Sequence, residues 1–254
     1  PVDSTYPYFI PGSYITPRAI TIENKLAAMS GITPKDMMAL HGNYFNTLAE
    51  DVRSTLVQYV NETVLNATEK KYLAIIKNWD LMASPDSKGQ TVYQCWWDSL
   101  EVEIWKDDLA RVSPQAPWPE EQTTMELLKK DSALQFIDNI NTPQKETLYD
   151  AVTTALKKAS ADLATKEAEG KLEWTKFKNP TVYHLLKDAL PAFARKGLNV
   201  GGNGNIVNAV THSHGPSWRM IVHLTNQTEA YGVYPGGQSG NPGSRFYDDY
   251  IDKW

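Results

Sequence analysis

The sequence predicts an α+β fold, with a mostly helical middle and a few antiparallel strands at its C-terminal end. Three observations lead there. In several runs between residues 37 and 163, apolar side chains recur every three or four positions, the period of a helix with one buried face. In "SWRMIVHL", by contrast, Trp218, Met220, Val222 and Leu224 alternate with Ser217, Arg219, Ile221 and His223, the period of a strand. The change falls after about residue 197, where "GLNVGGNGNIVNA" replaces helix formers with glycine and asparagine. The expected organisation is one structural unit in three stretches: 1–19, 20–197 and 198–254.

Residues 1–19 ("PVDSTYPYFIPGSYITPRA") hold four prolines and a glycine among aromatics, so they read as an extended segment. A short helix carrying "ITIENKLAAM" follows. Thr33-Pro34-Lys35-Asp36 has the form of a helix start, with a Thr cap, Pro in the first turn and Asp reaching back. Behind it Met37, Leu40, Tyr44, Leu48, Val52, Leu56 and Val60 form one stripe, read as a single helix of about seven turns. A second helix is expected after Thr68, with Leu73, Ile76 and Trp79 inward. A third carries Val92, Trp96, Leu100 and Ile104 at four-residue spacing. "SPQAPWPEEQ" then breaks the chain with three prolines, and Pro119 can open another short helix. From Thr142-Pro143 an amphipathic helix is expected through Leu148, Val152, Leu156, Ala159 and Leu163, with "KKASADLATKEAEGK" as its solvated face and end. "EAYGVYP" reads as a second strand, joined to the first by "TNQT". Two strands alone are not a stable sheet, so they are expected to add to a larger one.

Composition narrows the function classes. Apolar residues make up 41% and charged residues 22%, which is the balance of a chain that folds. A net charge of −5 with no basic stripe excludes nonspecific nucleic-acid binding. The single cysteine, Cys95, excludes an internal disulfide and a multi-cysteine zinc site. No stretch reaches the ~18 apolar residues that a membrane-crossing helix needs. The chain opens on Pro1 without a methionine, the start expected of a processed or truncated product.

No motif by itself declares a catalytic site. "GGNGN" lacks the G-x-G-x-x-G spacing of a dinucleotide fingerprint and reads as a turn. "THSHG" spaces His212 and His214 two residues apart, which could chelate a metal, but no third ligand stands nearby in sequence. Asp248-Asp249 offers oxygen ligands for calcium and reads more simply as a solvated turn. N-x-S/T triplets at Asn61, Asn66 and Asn226 matter only in a eukaryotic secreted protein. There is no G-x-S-x-G nucleophile elbow.

Longer stretches are more specific. "HGPSWRMIVHL", followed by "EAYGVYPGGQSGNPGSRFYDD", resembles the C-terminal signature of the penicillin acylase family. In that family a G-x-S-W-R-M strand precedes a PGGQSGNP-type loop and a Y-D-D element. "GGNGNIVNA" is similar to the family's glycine-rich stretch, "IIKNWDLMASPDSKGQTVYQCWWDSL" to its W-D and aromatic-helix pattern, and "PVDSTYPYF…TPRAITIENKL" to a segment where "YPY" leads to an arginine and a helix. The resemblance runs from end to end.

It implies an N-terminal-nucleophile hydrolase of αββα sandwich fold, which cleaves the amide bond of N-acyl compounds such as penicillins or acyl-homoserine lactones. The nucleophile would be an N-terminal Ser activated by its own α-amino group, whose pKa is about 8. Backbone amides and an Asn would bind the oxyanion. Pro1 has no hydroxyl, so the expectation is a C-terminal fragment of the nucleophile-bearing β chain, inactive alone, with Ser and Asn supplied elsewhere. Arg18, in "TPRAITIENKL", matches the family's supporting arginine. No cofactor is expected for catalysis, although the complete enzyme could hold calcium. Expected partners are the α chain, the N-terminal part of the β chain and a small N-acyl substrate; neither nucleic acid nor membrane is expected. The resemblance also implies a periplasmic or secreted bacterial protein, and apolar surface left uncovered would make the fragment self-associate. The alternative is a noncatalytic helical binding module derived from the family. A calcium-binding structural domain is disfavoured, because no D-x-D-x-D-G loop occurs.

Overall fold

The computed structural model describes residues 16–109 and 117–254, together with Thr5, Pro7 and Tyr8. Most of the expected extended segment over 1–19 therefore lies outside the described residues. Its last three residues are helical: α1 (Pro17–Ala27) starts there because Thr16 accepts a hydrogen bond from the Ala19 amide and Pro17 supplies a preset first turn.

The long stripe expected from Thr33 onward is two helices. α2 (Pro34–His41) opens on the Thr33–Asp36 capping box, as its sequence predicts, and closes at Gly42. α3 (Thr47–Tyr59) opens on a new cap, with Asn46 Oδ1 accepting from the Ala49 amide at 3.0 Å. The intervening backbone is claimed by another part of the chain: Asn46 donates to the Leu81 carbonyl and Tyr44 accepts from the Ala83 amide. Periodicity survived the break because Leu40 and α3's Leu48, Val52 and Leu56 are all buried.

α4 (Ala67–Lys77) begins two residues earlier than expected, on an Asn66–Glu69 capping box. α5 (Lys88–Leu109) buries Val92, Trp96, Leu100 and Ile104 completely, at the four-residue spacing read from the sequence. α6 (Glu121–Lys130) follows the proline break. α7 (Leu148–Ala168) starts at a Thr147–Asp150 capping box and not at Thr142, whose hydroxyl instead donates to Glu146. α5 and α7 run against each other, and the Trp96 indole donates to the Val152 carbonyl at 3.0 Å across the seam. These two helices, with α3, α4 and α6, enclose one aromatic-rich core.

A second, smaller cluster joins α8 (Trp174–Lys178) to the C-terminal region, where Trp174, Ala83 and Ile206 pack together. Strands β1 (Arg219–His223) and β2 (Glu229–Val233) pair antiparallel with Ile221 opposite Tyr231. The structure is thus α+β, with eight α-helices and one two-stranded sheet among the described residues. The apolar face of β1 points outward. Trp218, Met220, Val222 and Leu224 are 54%, 47%, 44% and 83% exposed, while Arg219 and Ile221 occupy the half-covered side against α2. Among the described residues no helix is long and apolar enough to cross a membrane.

Candidate functional site

Arg18 stands in the first turn of α1, and its guanidinium donates to the carbonyl of Gly204. That carbonyl belongs to the glycine and asparagine loop over 201–210, so the one predicted site residue and the most unusual loop meet. The loop is shaped by close approach. A Cβ on Gly201 would lie 2.3 Å from the Ala83 carbonyl, and one on Gly202 would lie 1.8 Å from that of Asn208. Gly202 also has φ +84, which disfavours any side chain.

The loop is then held from several elements. The Gly202 amide donates to Ala83 O at 2.8 Å, and the Trp174 indole donates to Gly202 O at 2.8 Å. Lys178, only 8% exposed, points its ammonium at three carbonyls: Gly201 at 2.8 Å, Gly202 at 2.9 Å and Val210 at 2.8 Å. Burial pulls the Lys178 pKa down to about 7. The Asn203 side chain donates to Gln94 on α5, and that of Asn205 to Glu121 on α6.

Glu101 and Glu121 line one hollow with Asn205, and Asp98 lies near enough to both acids to act on them electrostatically. Burial raises all three, Glu101 to about 8, and mutual repulsion adds to the shifts of Glu101 and Glu121. No grouping of three or more His, Cys, Asp or Glu side chains suited to a metal ion occurs among the described residues.

Arg219 lies on the side of β1 opposite Trp218 and pairs with no acid among the described residues. Its guanidinium donates to the His41 carbonyl at 2.8 Å and to Asn208 Oδ1 at 2.6 Å, and it lies 5.6 Å from the Trp254 ring. It borders a groove of about 700 Å3 between α2 and the strands, lined also by His41, Tyr44, Ile221, Tyr250 and Lys253. Burial lowers the His41 pKa, and the Arg219 charge lowers it further.

The histidines of "THSHG" separate. His212 Nδ1 faces the Lys178 and Asn179 carbonyls while its Nε2 meets the Tyr183 hydroxyl, and His214 bonds Ser213. Asp248 and Asp249 lie in a bend and turn as read from the sequence, with Asp249 exposed and Asp248 ion-paired with Arg195. "GGQSG" is a close-packed turn: a Cβ on Gly237 would sit 2.1 Å from the Phe246 carbonyl. Cys95 is half-buried, and burial pushes its thiol up to about 12, so it is inert.

Sequence reasoning missed Lys178, Trp174 and Asn208. "WTKFK" places Trp174 and Lys178 four residues apart on one helical turn, but a lysine among lysines carries no sign that it is buried.

Comparison with known proteins adds an independent finding. The sequence model described as penicillin amidase matches residues 1–254. The acyl-homoserine lactone acylase QuiP of Pseudomonas putida is 28% identical over 207 residues, which cover 72% of this chain and 25% of that protein. The chain therefore spans about a quarter of the length of the curated relative it matches.

Proposed function

Because the chain belongs to the penicillin amidase family, we propose that it forms the oxyanion-supporting part of an acylase that hydrolyses N-acyl compounds. The observation that carries this reading is the family match along the whole chain. In this reading the nucleophile is an N-terminal Ser and the oxyanion ligand an Asn, both on acylase polypeptide outside this chain. The Ser oxygen attacks the amide carbonyl carbon while its proton passes to the α-amino group. The amine then leaves with that proton, and water cleaves the acyl ester to release a carboxylic acid and restore the serine. Negative charge grows on the carbonyl oxygen in both steps, and a preorganised cation nearby lowers the energy of each.

Arg18 supplies that cation. The Gly204 carbonyl takes one of its N–H donors without neutralising the charge, so the guanidinium keeps its field and its remaining donors for the Asn. The similarity to an acyl-homoserine lactone acylase favours N-acyl-homoserine lactones as substrates. The same reading makes β1 and β2 a strand pair that completes an αββα sandwich. The uncovered face of Trp218, Met220 and Val222 supports it.

The test is release of homoserine lactone by the complete acylase, with Arg18→Ala beside the wild type. We expect kcat to fall about 10-fold or more with KM little changed. An unaltered kcat would remove Arg18 from the mechanism. Failure of the wild type to hydrolyse any N-acyl amide would overturn the acylase reading itself.

A further inference from the structure

We propose that Lys178 is a positioning residue that sets the place of Arg18 through the glycine loop. The inference rests on the role given to Arg18 above. A buried ammonium without a carboxylate is an expensive group to keep, so its partners explain it. Three carbonyls converge on Nζ within 2.9 Å, matching the three N–H donors of a protonated lysine. Carbonyl dipoles pointed at one spot repel each other unless a donor stands between them. No single backbone amide could satisfy all three.

The geometry shows what this clamp controls. Gly201 and Gly202 lie on one side of Gly204, and Val210 closes the loop on the other. The Trp174 indole doubles the hold on the Gly202 carbonyl, and its ring lies 5.5 Å from the Lys178 ammonium. Asn203, Asn205 and fully buried Ile206 then leave Gly204 little freedom. Gly204 O is the acceptor for Arg18, so a fixed loop means a fixed guanidinium. Lys178 and Arg18 thus grip the same loop from α8 and from α1.

The test follows hydrogen exchange of the amides over 201–206 and the Arg18 guanidinium signal by NMR. Wild type, Lys178→Ala and Lys178→Met, which keeps most of the stem volume, are compared. We expect at least about 10-fold faster exchange at these groups in both variants, with α5 and α7 still protected. n-Propylammonium should restore slow exchange in Lys178→Ala, whereas tetramethylammonium, having no N–H, should not. Unchanged exchange over 201–206 overturns the proposal. So does loss of protection in α5 and α7 in both variants, which would make Lys178 a general folding residue.

In the complete acylase, Lys178→Ala should lower kcat, and Arg18→Ala with Lys178→Ala should be no slower than Arg18→Ala alone. Multiplying losses would mean that Lys178 does not act through Arg18. If the wild-type acylase proves inactive, the proposed activity fails while the exchange data still decide the anchor.

Discussion

At the scale of the residue, the site is a set of charges held by neutral partners. Arg18 rests on a carbonyl, Lys178 on three, and Arg219 on a carbonyl and an amide oxygen. The acids stand beside the glycine loop, with Glu121 on Asn205, and Glu101 is the one whose carboxyl is pushed to about 8. Its folded pKa is above its unfolded value, so between about pH 4.5 and 8 the folded state holds a proton that the unfolded state has released. Stability must therefore fall as pH rises through that window. Glu101→Gln removes the titrating group and should stabilise the protein by at least about 1 kcal/mol at pH 8 but hardly at pH 4. Urea unfolding at both values checks this, and an equal effect at both would refute it.

At the scale of the element, α5 carries the fold. Its buried face meets α7, and its first turn meets the chain that follows α4. Gly89 is the tight point: a Cβ there would lie 2.2 Å from the Trp79 ring, and that ring is buried with its indole donating to the Met82 carbonyl at 3.0 Å. A helical glycine exposed to solvent would gain stability on becoming alanine, but here the clash outweighs the propensity. Gly89→Ala should cost about 1–3 kcal/mol, read from the shift of the denaturation midpoint. A gain in stability would mean that Trp79 moves aside freely.

The spacing in "TVYQCWWDSLEVEIW" made this helix legible, because a helix buried along one face writes its period into the chain. The break between α2 and α3 was not legible. Gly42 and Asn46 look like weak punctuation in sequence. They become a helix end and a helix start only because residues 81 and 83 come alongside to take the backbone hydrogen bonds.

At the scale of the whole molecule, the uncovered face of β1 is the main unsolved demand. Four large apolar side chains at alternate positions stand in solvent on a sheet that has two strands among the described residues. Such a patch lowers its free energy by being covered, and a second copy is one available cover. The isolated chain should therefore self-associate as concentration rises. Val222→Lys, which places a charge in the middle of the patch, should suppress this without disturbing the helical core. Light scattering with far-ultraviolet circular dichroism checks both parts, and a wild-type chain that stays monomeric at every concentration would contradict it.

The sequence by itself determined the α+β class, most helices, the cap of α2, the two strands, and the family. Those features are written in short-range spacing and in contiguous motifs, each satisfied within about a dozen residues of chain. Only the tertiary structure decided which face of β1 is covered, where the long apolar stripe breaks, and that Arg18 and Lys178 close on one loop. Arg18 and Gly204 are 186 residues apart in sequence, and no local pattern reports a contact at that range. Nor does composition reveal a buried lysine, because its burial is made tolerable by three carbonyls that only the folded loop brings together.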